Sequence, residues 1–412
     1  MRIKLVSLAA VVLLLLASAS IARAQTIAGL WDATVVVNGV EVPFRMELAG
    51  SGGGVKGSFF NGDEKVASTT GQLTNGTLVL SFDEYETKLE ATLMKDGRLE
   101  GQYSRGTRGA PYPFRANRFV AAPPTDDKVP SIAGLWNIQT KSSKGESAWH
   151  LIVRQSGPEV SAAILRVDGD TGTLTGSYRG GAFVLGHFSG ARPMRLEIAP
   201  QADGSLTLVQ NDERDKPLTA IRAEQAAAKG LPQPSDPSRF TSVKDPTEPL
   251  RFSFPDLNGK IVSNTDQRFR GKVVIVDISG SWCPNCHDET PFLVELYRKY
   301  HDRGLEIVAV SFEEAAQLKN PTRLRAFIKH YGIQYTVLLA GEPREANDKL
   351  PQTVNLNSFP TTFFLGRDGR VRSAHAGFPG KASGAFHDQA KQEITHTVEQ
   401  LLAESVQSSS GK

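Results

Sequence analysis

The chain of 412 residues contains two cysteines, and they lie close together as Cys283-Pro284-Asn285-Cys286. Two thiols at this spacing can form and break one disulfide, because the second Cys can attack a mixed disulfide made by the first. A chain without further sulfhydryls is not a disulfide-stapled scaffold. The spacing therefore predicts a redox pair in which Cys283 is the nucleophile and Cys286 resolves the intermediate.

The residues around the pair predict the elements that position it. Residues 272–278 and 305–312 are apolar, β-branched runs typical of buried strands, and residues 290–302 have helical periodicity. Strands that alternate with helices predict an α/β sheet. At a helix N-terminus, unpaired backbone N–H groups and the helix dipole stabilise a thiolate, so we expect the first cysteine to attack disulfides there.

The last third of the chain resembles the thioredoxin superfamily, and within it the exported thiol-disulfide proteins of the TlpA/ResA type. The resemblance rests on residues 254–262, which look like the family's opening hairpin, on 269–276, which lead into its first central strand, and on 283–291, which look like its active-site helix. It covers about 160 of the 412 residues. It implies an α/β thioredoxin-like domain over 250–407 that acts as a thiol-disulfide oxidoreductase.

The resemblance also implies residues that would position a substrate. Pro360 lies in a Ser-Phe-Pro-Thr-Thr stretch that matches the superfamily's cis-proline loop, so it is expected to face the dithiol and present backbone to the substrate. Its neighbours Phe359 and Thr361 are expected to contribute to the same surface. Trp282 either shields the sulfurs or is a core aromatic residue.

Two acidic residues are candidate proton handlers for the redox pair. Asp277 stands six residues before Cys283 and matches the buried acid of thioredoxin proper, where TlpA-like proteins often have an amide. A buried carboxyl beside a thiol should have a raised pKa, and it could accept the proton of Cys286. Glu289 matches a Glu of the family's active-site helix. The alternative for both residues is an ordinary structural carboxylate.

Two other chemistries fit parts of the motif. With His287 the pattern becomes C-x-x-C-H, the attachment pattern of c-type haem, but no methionine follows it to serve as the usual distal ligand. Residues 308–312 resemble a segment of peroxiredoxins, and in this interpretation the protein would be a thiol peroxidase. The residues before Cys283 lack the Pro and Thr that precede a peroxidatic cysteine. We therefore expect no cofactor and no metal site.

An internal repeat organises the N-terminal half. Residues 27–31, Ile-Ala-Gly-Leu-Trp, recur as residues 132–136, and both copies continue with short apolar runs separated by Asn-Gly, Asp-Gly or Gly-Gly. Such turns are typical of antiparallel hairpins. We therefore predict two tandem, small all-β modules, sandwich-like or barrel-like, at 25–121 and 131–226, each of about six or seven strands.

The β modules raise an alternative function. In this hypothesis they bind a partner, glycan or envelope surface, and the redox domain is an accessory. Trp31 and Trp136 occupy equivalent places in the two copies and are either stacking platforms or core residues.

The remaining segments predict export and a stiff linker. Residues 1–24 have the charged start, apolar centre and Ala-Arg-Ala end of a secretory signal peptide, so we expect export, to the periplasm of a Gram-negative bacterium. Five prolines make 227–249 an extended linker. Signal removal would leave 44 basic and 44 acidic residues and no stable transmembrane anchor. This charge balance argues against a nucleic-acid partner. The expected partners are protein dithiols or disulfides and a membrane thiol-electron donor.

Overall fold

The computed structural model describes residues 27–51, 54–121 and 128–404. The predicted signal peptide at 1–24, most of the junction between the β modules and the C-terminal tail lie outside the described residues. No helix in the described part of the chain is long and apolar enough to cross a membrane.

The first β module is a nine-stranded antiparallel sheet in the order β4-β3-β2-β1-β9-β8-β7-β6-β5. Strands that are neighbours in sequence pair as hairpins except β4 and β5, which are the two edges, and β1 also pairs with β9. The sequence indicated fewer strands because β4 and β5 are short and polar. The strands are β1 (Gly29–Val37), β2 (Val40–Ala49), β3 (Lys56–Asn61), β4 (Glu64–Ala67), β5 (Thr70–Thr74), β6 (Thr77–Phe82), β7 (Thr87–Leu93), β8 (Leu99–Ser104) and β9 (Tyr112–Arg118).

The second β module also has nine strands, but it closes into a barrel. Its order is β11-β10-β18-β17-β16-β15-β14-β12-β13, and an additional pairing of β11 with β12 joins the two sides. A short helix, α1 (Ala223–Ala228), follows the last strand. The strands are β10 (Gly134–Gln139), β11 (Ala148–Ser156), β12 (Glu159–Arg166), β13 (Gly169–Asp170), β14 (Leu174–Arg179), β15 (Ala182–His187), β16 (Met194–Pro200), β17 (Leu206–Gln210) and β18 (Leu218–Arg222).

The two modules begin with the same set of contacts. In each, the indole N–H of the repeated Trp donates to the carbonyl of an Ile four residues earlier, at 3.0 Å and 2.9 Å. An Arg from the last strand lies over the ring, Arg118 over Trp31 at 4.3 Å and Arg222 over Trp136 at 3.9 Å. Both indoles are buried, 0% and 2% exposed, so they are core residues and do not offer a stacking surface.

The modules share part of one core. Phe188, in the loop after β15 of the second module, belongs to the apolar core of the first and lies edge-on to Phe44 and Tyr103, both with ring centroids 4.9 Å away. The Tyr103 hydroxyl donates to the carbonyl of Gly190 at 3.1 Å. The open sheet is therefore filled by a loop of its neighbour, and the two repeats pack as one unit.

The segment after the second module differs from the predicted extended linker. It contains a short helix, α2 (Pro237–Phe240), because Asp236 caps it and the proline stands where its missing N–H costs nothing. The next residues form β19 (Ser242–Val243), which pairs with β25 (Thr353–Val354) of the C-terminal domain. This pairing ties the segment to the domain that follows.

The C-terminal domain is a five-stranded mixed sheet in the order β24-β23-β22-β26-β27, with helices on both faces. β22, β23 and β24 are parallel, and β26 and β27 run antiparallel to their neighbours. One apolar core lies on each face of the sheet. Its sheet and opening-hairpin strands are β20 (Ser253–Pro255), β21 (Ile261–Ser263), β22 (Val273–Ser279), β23 (Leu305–Phe312), β24 (Thr336–Gly341), β26 (Thr361–Leu365) and β27 (Val371–Ala376).

The helices of this domain connect the parallel strands and cover the sheet. The helix after β22 begins directly behind the first cysteine, six residues earlier than its periodicity indicated, because the proline in its first turn is compatible with helix there. The helices are α3 (Pro284–Tyr300), α4 (Ala315–Lys319), α5 (Thr322–Tyr331), α6 (Ala346–Lys349) and α7 (Ala385–Ala403).

Candidate active site

The two cysteines lie where the central strand β22 ends and helix α3 begins. Cys283 caps the helix, and the Cys286 N–H donates to its Sγ at 3.3 Å. The Cys283 thiol also contacts the carbonyl oxygen of Phe359 at 3.4 Å. Both cysteines are free thiols, only 3% and 1% exposed. The two thiols therefore lie one helical turn apart at the start of the helix.

The loop before β26 faces this dithiol. The Phe359–Pro360 peptide bond is cis, and the Pro360 carbonyl accepts a hydrogen bond from Gly377 N–H at 2.7 Å. Trp282 packs its ring against Phe359, with centroids 5.4 Å apart, and donates its indole N–H to the Phe312 carbonyl. The indole is thus held beside the sulfurs by both a ring contact and a hydrogen bond.

Thr361 lies inside the loop and does not face solvent. Its side chain is fully buried, and its hydroxyl donates to the Ser358 carbonyl at 2.8 Å. This hydrogen bond closes the turn that carries Pro360. Thr361 therefore acts on any substrate only through the shape of the loop.

Two buried carboxyls lie on the inner side of the dithiol. Burial raises the pKa of Asp277 to about 7, and its Oδ1 has no hydrogen-bond partner among the described residues. Burial, and then the charge of Asp277, raise the pKa of Glu289 well above its usual range, although Thr362 donates to its Oε1 at 2.9 Å. Two adjacent buried acids cannot both ionise cheaply, so this pair holds a proton at neutral pH.

The resolving thiol belongs to the same cluster. Burial raises the pKa of Cys286 well above its ordinary value, and the neighbouring Cys283 and Asp277 raise it further. A thiol of this kind needs a local base before it can attack. The charge of Asp277 acts on this thiol, and the role of Asp277 as its proton acceptor stays a prediction.

A buried ion network that the sequence did not indicate holds the loop before the dithiol. Glu313 accepts hydrogen bonds from Ser281 N–H at 2.7 Å and from Ser281 Oγ–H at 2.8 Å, and it pairs with Arg323 at 2.7 Å. A buried ion pair that also holds a backbone N–H and a hydroxyl in this way fixes the geometry of the loop. One feature of the sequence could have indicated this contact. Glu313 directly follows β23 and the cysteines follow β22, and the carboxyl ends of these parallel strands lie at the same edge of the sheet.

His287 is a structural residue between helix α3 and the first β module. Its Nε2 lies 2.9 Å from the Ser281 carbonyl and its Nδ1 2.9 Å from the Tyr331 hydroxyl. Burial lowers its pKa to about 3, so the ring is neutral. Because both ring nitrogens are hydrogen-bonded, His287 is not arranged to ligate the iron of a haem.

Comparison with known proteins matches the domain that carries this site. Residues 247–374 match the family model described as AhpC/TSA family. The thiol-disulfide oxidoreductase ResA of Bacillus thuringiensis (strain Al Hakam) is 31% identical over 124 residues, which are 30% of this chain and 65% of that protein. The C-terminal domain is a thioredoxin-like domain of the AhpC/TSA family. The ResA of Bacillus subtilis (strain 168) is 28% identical over 130 residues, 32% of this chain and 66% of that protein.

The similarity is partial on both sides. The chain spans slightly less than two thirds of the length of these relatives, 65% for the first of them. A solved thiol:disulfide interchange protein of the thioredoxin family from Chlorobium tepidum TLS is 24% identical, with a TM-score of 0.30, over 39% of this chain and 99% of that one. The AhpC/TSA match begins at residue 247 and does not include either β module.

Proposed function

We propose that this protein is an exported thiol-disulfide oxidoreductase that reduces disulfides in protein substrates. The observation that carries the proposal is the placement of two buried cysteines one helical turn apart at the start of α3, with the Cys286 nitrogen 3.3 Å from Cys283 Sγ. The names of the ResA relatives support the same chemistry.

The reaction is a two-step thiol-disulfide exchange. The Cys283 thiolate attacks one sulfur of the substrate disulfide, forms a mixed disulfide and releases the other substrate sulfur as a thiolate. Cys286 then attacks Cys283 Sγ, which forms the Cys283–Cys286 disulfide and releases the second substrate thiol. Two electrons pass to the substrate, and the oxidised protein requires a thiol donor, for which we propose a membrane protein, to restore the dithiol.

The acid pair handles the proton of the second step. Cys286 must lose its proton to attack, and Asp277 or Glu289 takes it within the buried cluster. The raised pKa of Asp277, about 7, places its titration close to neutral pH, where a general base works best. Pro360 and Phe359 present the backbone beside which the substrate disulfide lies during the first step.

A trapping experiment tests the assignment of the two cysteines. In Cys286→Ser the mixed disulfide cannot be resolved, so the protein should accumulate covalent adducts with oxidised substrates that dithiothreitol releases. Cys283→Ser is the matched control and should give none. If Cys283→Ser accumulates the adducts and Cys286→Ser does not, the roles are reversed.

The reduction potential tests the direction of the reaction. The purified protein would be equilibrated with graded glutathione, and its free thiols counted by alkylation and mass. A reduction potential of about −270 mV fits a reductase that needs an electron supply, whereas a potential of about −120 mV would make the protein a disulfide donor.

A further inference from the structure

A hairpin of the second β module lies on the face of the thioredoxin-like domain that carries the cysteines. This hairpin, residues 165–170, joins β12 to β13. The Asn285 side chain, between the two cysteines, donates to the Asp168 carbonyl at 2.6 Å. Gly169 forms a parallel β-bridge with Phe378. A tight turn of the protein's own backbone therefore lies directly beside the dithiol.

A second loop of the same barrel contacts the other side of the site. The Lys144 carbonyl accepts a hydrogen bond from Asn357, which lies three residues before Pro360, at 3.3 Å. The Lys144 ammonium pairs with the Asp168 carboxylate at 2.5 Å and so joins this loop to the 165–170 hairpin. The barrel thus contacts the chain on both sides of Cys283, which is only 3% exposed.

A buried ion triad anchors the barrel next to these contacts. Arg192 pairs with Asp288, two residues after Cys286, and also with Asp170 at the end of the hairpin. The Ser383 hydroxyl donates to the Asp170 carboxylate at 2.6 Å. The triad therefore joins the hairpin to helix α3 and to the loop before α7.

The fit between the hairpin and the redox face is tight, and it is made largely by backbone. A Cβ on Gly169 would lie 2.5 Å from the Phe378 carbonyl oxygen and 2.7 Å from Asn285 Cγ. A Cβ on Gly377 would collide with the Val167 carbonyl oxygen. On its other side the hairpin borders a cavity of about 470 Å³, enclosed with residues 234–238 and helix α7.

We propose that the 165–170 hairpin occupies the surface beside Cys283 to which a polypeptide substrate binds. This inference rests on the proposed function. An oxidised polypeptide reaches Cys283 only after the hairpin leaves Asn285 and Phe378, and the substrate's own extended segment then binds the backbone positions that the hairpin has vacated. A small disulfide needs a smaller opening. The second module therefore sets the preference between protein and small-molecule disulfides.

Substitution of two glycines of the barrel tests the inference on the full mature chain. In Gly169→Val the new side chain clashes with Phe378 and Asn285, so the hairpin is displaced without any change in the thioredoxin-like domain. Gly157→Val is the matched control, since this glycine also has positive φ, at the opposite end of β12, but nothing lies within 4 Å of its Cβ position. The probes are insulin and the small aromatic disulfide 5,5′-dithiobis(2-nitrobenzoate).

We expect Gly169→Val to reduce insulin about tenfold faster than the unmodified protein, because the apparent rate is scaled by the fraction of open molecules. The rate with the small disulfide should change less than about twofold, and Gly157→Val should leave both rates unchanged. An insulin rate in Gly169→Val equal to or below that of the unmodified protein, with the small-disulfide rate retained, overturns the inference. If the unmodified protein reduces neither probe, the proposed function itself is overturned.

A second variant covers the case in which Gly169→Val fails to fold. Lys144→Glu places a second negative charge against Asp168 and repels the hairpin from the adjoining loop. Alkylation of Cys283 by a maleimide on a large polyethylene glycol should become several-fold faster in this variant, while alkylation by N-ethylmaleimide changes less. Equal acceleration of both reagents would overturn the inference, because it would show general loosening.

Discussion

The two β modules begin with the same contacts but end as different structures. In the second, pairing of β11 with β12 closes the barrel, whereas in the first β4 and β5 stay as edge strands of an open sheet. Phe188 of the second module fills the core of the first. The repeated sequence therefore forms similar strands in both modules. Whether the sheet closes depends on pairing between its edge strands, and the open sheet is covered by a side chain from the neighbouring module.

The two modules also contact different residues of the active-site helix. The first places Tyr85 flat against His287, with ring centroids 4.0 Å apart. The second contacts Asn285 and Asp288 and so borders the dithiol itself. The second copy of the repeat therefore contacts the residue between the two cysteines, whereas the first packs against His287, after them.

Phe188→Ala should have the largest effect, because it empties the shared core. Truncation of a fully buried Phe costs about 3–5 kcal/mol. We expect the loss in the first module, although the substituted residue belongs to the second. Hydrogen exchange under mild denaturant should show faster exchange for amides of β3 and β8.

Phe183→Ala is the matched control for that experiment. Phe183 is equally buried, but it belongs to the core of the second barrel. Its truncation should accelerate exchange in β14 and β16 instead. If Phe188→Ala loosens β14 and β16 as well, to the same extent as β3 and β8, the first module does not depend on this single side chain.

Asp277→Asn should change the pH dependence of stability in the thioredoxin-like domain and leave both β modules unaffected. The folded protein keeps this carboxyl protonated up to about pH 7, whereas the unfolded chain releases the proton near pH 3.8. The stability of the domain therefore falls as pH rises from about 4 to about 7, and stays low above that range. A neutral amide removes this penalty, so the variant should be about 2–4 kcal/mol more stable at pH 8 and nearly unchanged at pH 4.

Urea unfolding at the two pH values measures the effect, and hydrogen exchange assigns it to a domain. Protection should rise in β22 and β26, while amides of the two modules should not respond. Reduction of insulin should slow in the same variant, since an amide cannot accept the proton of Cys286. A gain in stability that is equal at pH 4 and pH 8 would contradict the raised pKa.

Arg192→Met should weaken the docking of the second module by about 2–3 kcal/mol, less than for a fully buried pair because Asp288 keeps some exposure to water. Burial raises the pKa of Asp288 to about 6 although Arg192 lowers it, and without the arginine Asp288 and Asp170 face each other with no cation between them. Unfolding should change from one transition to two. Arg195→Met is the matched control, since its carboxylate partners lie within the second module, and there the single transition should persist.

Much of the C-terminal domain could be predicted because its signals are local. The strand Leu305–Phe312 was predicted with its observed ends, and the cysteines lie at the start of a helix after a buried strand, as expected. The buried pair of Glu313 and Arg323 could not be predicted, because nothing in a charged side chain shows that a partner distant in sequence will neutralise it.

The N-terminal half shows the same limit for contacts between domains. Turn residues revealed the hairpins, but not the closure of one sheet by β11 and β12. The insertion of Phe188 into the neighbouring core had no periodic signal, since it stands in a loop. Asn285 contacts the backbone carbonyl of Asp168, so the type of side chain at position 168 gives no indication of this contact.

Tyr85→Leu should have the smallest effect, because it removes one ring contact and keeps most of the apolar volume. An aromatic pair contributes about 0.5–1.5 kcal/mol beyond its buried area, so we expect a loss of about 1 kcal/mol. Insulin reduction should remain unchanged, in contrast to Gly169→Val. Tyr112→Leu is the control for general loosening, since this half-buried tyrosine packs against the core of the first module and against Phe188.

The protonation of His287 shows whether the first module is docked. The folded protein keeps this ring neutral down to about pH 3, whereas an unburied imidazole binds a proton near pH 6.5, so stability falls as pH drops through this interval. Loss of the Tyr85 ring admits water, which should raise the pKa of His287 in nuclear magnetic resonance titrations and make acid unfolding less steep. If the pKa stays near 3 in Tyr85→Leu, helix α3 with Phe327 and Tyr331 of α5 buries the imidazole without that ring. The first module would then cover a site that is already complete, and its docking would have to depend on the ion pair and hydrogen bonds that Glu84 and Glu86 make with α4 and α5.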